Sequence, residues 1–197
     1  MSLDLQPLSE LEAVNAILGS IGDSPVNSLS DTGLANASLA RQELHNMSRK
    51  VQSMGWEFNS DKEVLIERDN FGYINLGNNV LRCKASNRDA YRDVTQRGNK
   101  LYDKTNRTFV FTSDIYVDRI IFLQWEDLPS AARDYITISA ARKFQKGFIG
   151  SIELTQITKE DEMEALATLK DAEGENISAD FLSGLPQFSM IKTRRIT

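Results

Sequence analysis

The stretch from Asn36 to Asn59, NASLARQELHNMSRKVQSMGWEFN, constrains this chain more than any other. Its apolar members Ala37, Ala40, Leu44, Met47, Val51 and Met54 recur at alternating gaps of three and four, which is one stripe of an amphipathic helix. Gly55 can take the left-handed conformation that closes a helix. The residues after it, Trp56, Glu57, Phe58 and Asn59, alternate apolar with polar, so the spacing predicts a strand there. A helix that hands over to a sheet within one residue demands a fold in which the two layers share a core. Small alanines at the start of the stripe permit close helix approach, and the methionine and aromatic end thickens toward the sheet.

The rest of the chain follows from that junction. Ser9 and Glu12 form a capping box, and Leu11, Val14, Ile17, Leu18 and Ile21 mark a helix from Ser9 to Ile21. Asp23 to Asp31 carries turn formers and reads as a loop. From Trp56 to Trp125 the period is two. The predicted strands are Glu63–Ile66, Tyr73–Leu76, Val80–Lys84, Tyr91–Gln96, Lys100–Asp103, Thr108–Phe111 and Ile115–Leu123. Gly77 to Asn79, Gly98-Asn99 and Lys104 to Arg107 read as hairpin connections. Ile115–Leu123 is the best central strand, whereas Ser86 to Asp93 reads as an exposed hairpin arm. A third helix starts near Pro129 and runs to about Lys146, with Ala132, Tyr135, Ile136, Ser139, Ala140 and Phe144 inward. A fourth, Ser151 to Glu173, has Leu154, Ile157, Ala165, Leu166, Leu169 and Ala172 on its apolar side and closes at Gly174.

The expected class is therefore α+β: an antiparallel bundle of about four helices with an inserted, hairpin-rich antiparallel β region. The expected division is 1–55 helical, 56–125 β, 126–174 helical and 175–197 an extended C-terminal tail. That tail scatters Phe181, Leu182, Leu185, Phe188, Met190 and Ile191 among Ser and Gly, then presents Lys192, Arg194 and Arg195. It cannot bury enough apolar surface alone to offset its ordering entropy, which points to docking, with a neighbouring subunit the first candidate.

Composition narrows function mainly by exclusion. Cys83 is the only cysteine and His45 the only histidine, so neither a disulfide framework nor a multi-cysteine zinc site is available, and a reducing compartment suits the chain. No apolar run approaches the roughly 20 residues of a membrane span, and the first seven residues lack the pattern of a signal peptide. Asp and Glu outnumber Lys and Arg 28 to 23, a net charge of -5 that disfavours dedicated nucleic-acid binding. No nucleotide-binding glycine motif is present, and no cofactor or metal is expected.

His45 lies off the apolar stripe without a recognisable nucleophile, which makes it a surface or interface residue rather than a general base. Cys83, in a predicted strand, reads as a small buried hydrophobe. Glu160, Asp161, Glu162 and Glu164 fan around a helix axis, as a solvated face does. Arg82, Lys84, Arg88, Arg92, Arg97 and Lys100, interleaved with Tyr91 and Tyr102, form a basic, aromatic region: a partner surface, a solvated face or a DNA contact, in that order. The predicted partner interface is Arg88, Tyr91, Arg92 and Arg97 with Lys192, Arg194 and Arg195; no catalytic residue is assigned.

Three segments carry a resemblance: AVNAILGSIG (Ala13 to Gly22), QSMGWEFN (Gln52 to Asn59) and AARKFQ (Ala140 to Gln145). In that order they resemble the tail tubular protein A family of short-tailed, podovirus-type phages. The resemblance implies a structural virion protein without enzymatic activity, which forms a dodecameric adaptor ring below the portal. Below it would lie the nozzle of tail tubular protein B, with tail fibres seated nearby and DNA passing through the lumen without sequence-specific binding. Two alternatives stay open: a neck or head-completion protein of another phage type, and a tail-associated carbohydrate hydrolase, whose paired carboxylates sequence alone does not exclude.

Overall fold

The computed structural model describes the backbone of residues 7–30, 35–148 and 152–183, and side chains over 7–30, 35–147 and 159–174. Among the described residues four helices, α1 (Glu10–Gly19), α2 (Ala35–Gln52), α3 (Ser130–Phe148) and α4 (Ile152–Ser183), accompany five strands. The strands are β1 (Ser60–Ile66), β2 (Val80–Ala85), β3 (Val94–Arg97), β4 (Lys100–Asp103) and β5 (Ile115–Ile121). All pairing between strands is antiparallel, so the class is α+β as expected. The chain separates into two compact units, Met1–Met47 with Leu128–Thr197, and Ser48–Asp127.

The first unit is helical. The Ser9 hydroxyl caps α1 by accepting the Glu12 N–H at 3.3 Å, while the Glu12 carboxylate takes the Ser9 N–H at 2.8 Å. Ala13, Val14, Ile17 and Leu18 of α1, Ala40 and Leu44 of α2, and Ala132, Ile136 and Ala140 of α3 are buried. The inward face expected for α3 is fully confirmed, with Tyr135, Ser139 and Phe144 buried as well. Buried Arg133 donates to the carbonyls of Leu128 at 2.9 Å and Leu8 at 3.1 Å, tying the entry of α1 to the start of α3. His45, exposed, shares the Glu10 carboxylate with Arg41, at 2.7 and 2.8 Å.

Burial opposes ionisation of Glu10, but the Arg41 and His45 hydrogen bonds outweigh it and hold its carboxyl below the ordinary 4.5. The Ser9 backbone and hydroxyl do the same for Glu12. Because both folded values are depressed, the stability they contribute is present above the ordinary value and is lost as pH falls through the folded values. Ser9→Ala is expected to cost about 1 kcal/mol. Urea titrations at neutral pH measure that loss, and a flatter acid limb of the variant's pH profile checks the linkage.

Helix α4 departs from expectation at its end. Gly174 does not close it; the helix continues through Glu175 to Ser183. A Cβ at Gly174 would meet nothing within 4 Å, so this glycine serves no close approach, and inside a helix it costs only ~1 kcal/mol relative to alanine. The first nine residues of the expected extended tail are thus helical, and 184–197 lie outside the described residues. The side chains of Leu154 and Ile157 do too, while Leu169 is buried. The acidic run is not uniformly solvated either: Glu162 accepts from the Ser139 hydroxyl at 2.9 Å and pairs with Arg142.

The second unit holds a three-stranded sheet of order β1-β5-β2 and a β3-β4 hairpin. The expected central strand, Ile115–Leu123, is central as β5, ending at Ile121. Ile74, Leu76, Val80, Cys83, Leu101, Phe111, Ile115 and Val117 form its core. Burial pushes the Cys83 thiol up to about 11, with Arg119 opposing. Native protein is expected to resist a thiol-specific disulfide reagent at pH 8 and to react once unfolded, since only thiolate attacks.

Three strand expectations, one hairpin and one exposed arm need correction. Trp56 to Asn59 is a 3-10 turn, Glu57–Asn59, because the Asn59 side chain accepts the Trp56 N–H at 2.9 Å and draws the segment closed. Tyr73–Leu76 and Thr108–Phe111 make only isolated bridges, Tyr73 to Val110, Asn75 to Lys100 and Asp103 to Thr108. Gly77 to Asn79 is therefore no hairpin: it leads into β2, whose partner is β5. The arm predicted over Ser86 to Asp93 is a 3-10 turn with Ser86 and Asp89 buried, and β3 starts only at Val94.

Candidate interaction surface

The basic, aromatic region does not converge on one charged patch. In the 3-10 turn Asn87–Asp89, the Ser86 hydroxyl accepts the Arg88 N–H at 3.2 Å. Arg88 extends to Glu63 at 2.9 Å and lies 4.8 Å above the Tyr116 ring. Glu63 meets it from a bulge in β1 between Asp61 and Val64, with φ at 54°, a device that turns a side chain away from its regular alternation.

Asp89 accepts the Tyr116 N–H at 2.7 Å and stands 3.5 Å from Arg92. Arg92 also donates to the Asp114 carbonyl at 3.1 Å and to the Ser113 hydroxyl. It is an internal strut, and a phosphate would have to displace these partners. Arg97, at the turn end of the β3-β4 hairpin, stacks 3.6 Å above Tyr102, and Lys100 sits 4.0 Å above Tyr73. Lys84 pairs with Asp118 at 3.3 Å. Lys192, Arg194 and Arg195 lie outside the described residues.

Arg82 is exposed and lines a pocket with Lys84, Asp61 and Asp118, whereas the large exposed apolar side chains lie elsewhere. Asp69 to Gly72 forms a tight turn in which the Asp69 carboxylate accepts the N–H groups of Phe71 at 2.9 Å and Tyr73 at 2.8 Å, and the Asn75 amide at 2.8 Å. The Tyr73 hydrogen bond leads in holding that carboxyl below its usual range, against a smaller effect of burial. Gly72 has φ +81°, and a Cβ there would stand 2.8 Å from the Val110 side chain, so the turn lies flat on the strand-like segment beyond it. The Phe111 N–H donates to the Gly72 carbonyl at 2.8 Å, fixing that contact.

Phe71 is thereby held at the tip of this turn, 78% exposed, while Val110, on which Gly72 packs, is 49% exposed. Val110 and the more exposed Tyr91 flank a pocket of about 300 Å³ whose walls include Arg92, Asp103 and Asn106. Exposed aromatics on a pre-organised backbone lose little entropy when covered, and such residues dominate binding energy in protein interfaces. Of the residues expected to meet a partner, Tyr91 belongs to this surface. Phe71 and Val110 do not appear in the sequence reading. The legible signal is the order Asp-Asn-Phe-Gly at 69–72, which puts an aromatic in a turn that needs none.

Among the described residues, no three or more His, Cys, Asp or Glu side chains are placed to hold a metal ion, and no helix is long and apolar enough to cross a membrane. What the geometry offers is exposed aromatic and apolar side chains on a hydrogen-bonded backbone. A family model described as tail tubular protein matches residues 11–178, and this chain belongs to that family of structural phage tail proteins. Over 130 residues, 66% of this chain and 67% of the relative, it is 31% identical to the tail tubular protein A of Klebsiella phage KP34. It is a component of the virion tail, assembled there with other tail proteins.

Proposed function

We propose that the chain builds a dodecameric adaptor ring between the portal and the tail nozzle, through which genomic DNA is ejected. The observation that carries this reading is the family match across residues 11–178, which spans both compact units. Closed rings arise when one surface meets a different surface on the next copy and the rotation closes. In this proposal the helical unit makes the ring and meets the portal. The sheet-bearing unit turns Phe71, Val110 and Tyr91, with Arg88 and Arg97, toward the nozzle protein and the fibres. Assembly takes place in the host cytoplasm. The net charge of -5 suits a conduit, since a channel rich in Lys and Arg would hold DNA through counterion release.

Native mass measured alone and with portal tests the ring. A portal-bound dodecamer is expected, and a chain that stays monomeric and ignores portal would overturn the reading. Phe71→Ser with Tyr91→Ser is expected to weaken nozzle binding by about 30-fold, the scale of one hot spot, while leaving ring mass unchanged. An unaltered nozzle affinity removes this surface from the proposal.

A further inference from the structure

We propose that the C-terminal segment 184–197 seats in a groove of its own helical unit, between α1, α3 and α4. The groove has a volume of about 520 Å³; its floor includes Ile138, Ala141 and Ala165, and Asp134, Asp161 and Glu164 stand around it. None of these three carboxylates has a hydrogen bond or ion pair among the described residues. Burial raises the Asp134 carboxyl above its ordinary value in spite of Arg133. An apolar floor rimmed by three carboxylates without an ion pair among the described residues calls for an apolar chain with cations close behind it.

Segment 184–197 has that composition where it can reach: Met190 and Ile191, about 23 and 26 Å past Ser183 at full extension against about 22 Å back to Thr168, then Lys192, Arg194 and Arg195, with no acidic residue. Its reach also fits. Glu164 precedes Ser183, the end of α4, by 19 residues, or about 28 Å of helix at 1.5 Å per residue. Lys192 follows Ser183 by nine residues, about 30 Å of extended chain at 3.3 Å each. Asp161, about 33 Å back along the helix, falls within the roughly 40 Å that Arg195 spans. A tethered segment also acts at an effective concentration of order mM, which favours the chain's own tail over one from another copy.

The test uses the full chain with Cys83→Ala and Ser189→Cys, spin-labelled at the new cysteine, with alanine methyl groups observed by NMR. Ala141 and Ala165 methyls are expected to broaden at least several-fold more than Ala13, and to stay broadened when the chain is diluted tenfold into spin-free copies. Broadening that fades on dilution assigns the groove to a neighbour's tail, and no broadening leaves it uncovered; either overturns the proposal. Trypsin supplies a second reading without touching Cys83. Cleavage after Lys192, Arg194 and Arg195 is expected to quicken about tenfold in D134N/D161N/E164Q and in 1 M salt, where charges are screened beyond ~3 Å. Equal rates in wild type and variant count against it.

Discussion

Replacing Gln52 with methionine is expected to lower the stability of the sheet-bearing unit by about 4 kcal/mol, although the two side chains match in length. Gln52 is fully buried near the end of α2. Its amide oxygen accepts the Leu123 N–H at 2.7 Å, and its amide nitrogen donates to the Leu123 carbonyl at 3.1 Å and the Ser48 hydroxyl at 3.0 Å. Asn59 completes the clasp, donating to the Gln52 and Ile121 backbone carbonyls, both at 2.9 Å. Past Ile121 the chain has left the sheet ladder, so these two carboxamides supply the hydrogen bonds that strand partners no longer do. Methionine fills the space and leaves both polar groups of Leu123 unanswered, at about 1–3 kcal/mol each.

Against a total stability of about 5–15 kcal/mol this is a large fraction, and the melting temperature of the unit should fall by at least several degrees per kcal/mol lost. Trp56 and Trp125, both in this unit, report the urea transition. Gln52→Glu separates hydrogen bonding from packing. Protonated, glutamate can still donate one hydrogen; ionised and buried, it cannot. Its folded pKa is raised, so its stability is present at low pH and lost as pH rises through that value, and the deficit relative to wild type should grow from pH 5 to 8. A loss under about 1 kcal/mol for Gln52→Met would show that the clasp is dispensable.

The parts of this architecture that were legible in sequence are those governed by one period and one cap. The S-x-x-E box of α1, the inward face of α3 and the central place of β5 follow from local pattern, and tertiary packing agrees with each. Legibility fails where a side chain competes with the ladder for backbone groups. Asn59 closes Trp56–Asn59 into a turn although the apolar alternation reads as a strand, and Asp89 buries a segment whose composition reads as exposed. Gly174 fails differently: a glycine ends a helix only where the chain must turn, and this one lies mid-helix. The candidate surface was half legible for the same reason. Tyr91 stands out in a basic stretch, whereas Phe71 gains meaning only once Asp69 and Gly72 are seen to fix its turn.

Gly55→Val is expected to cost about 4 kcal/mol, and Gly55→Ala about 3, the sum of two separable effects. Gly55 has φ +83°, where an L side chain is strained by about 1–2 kcal/mol. A Cβ there would also stand 2.4 Å from Cδ1 and 3.2 Å from Cγ1 of Ile120, a buried residue of the central strand, and 3.2 Å from an Arg82 guanidinium nitrogen. Moving Ile120 is overpacking, worth about 1–3 kcal/mol. Ile120→Val removes Cδ1 and alone costs about 1 kcal/mol. On that background Gly55→Ala should cost about 1 kcal/mol less than in wild type, and the remainder is the backbone term. A cycle with no coupling would place the whole cost in φ. Coupling of the expected size means that G-W-E-F-N begins with glycine for reach as well as for turning: without a side chain, the residues leaving α2 can lie directly on Ile120 before the 3-10 turn leads into β1 at Ser60.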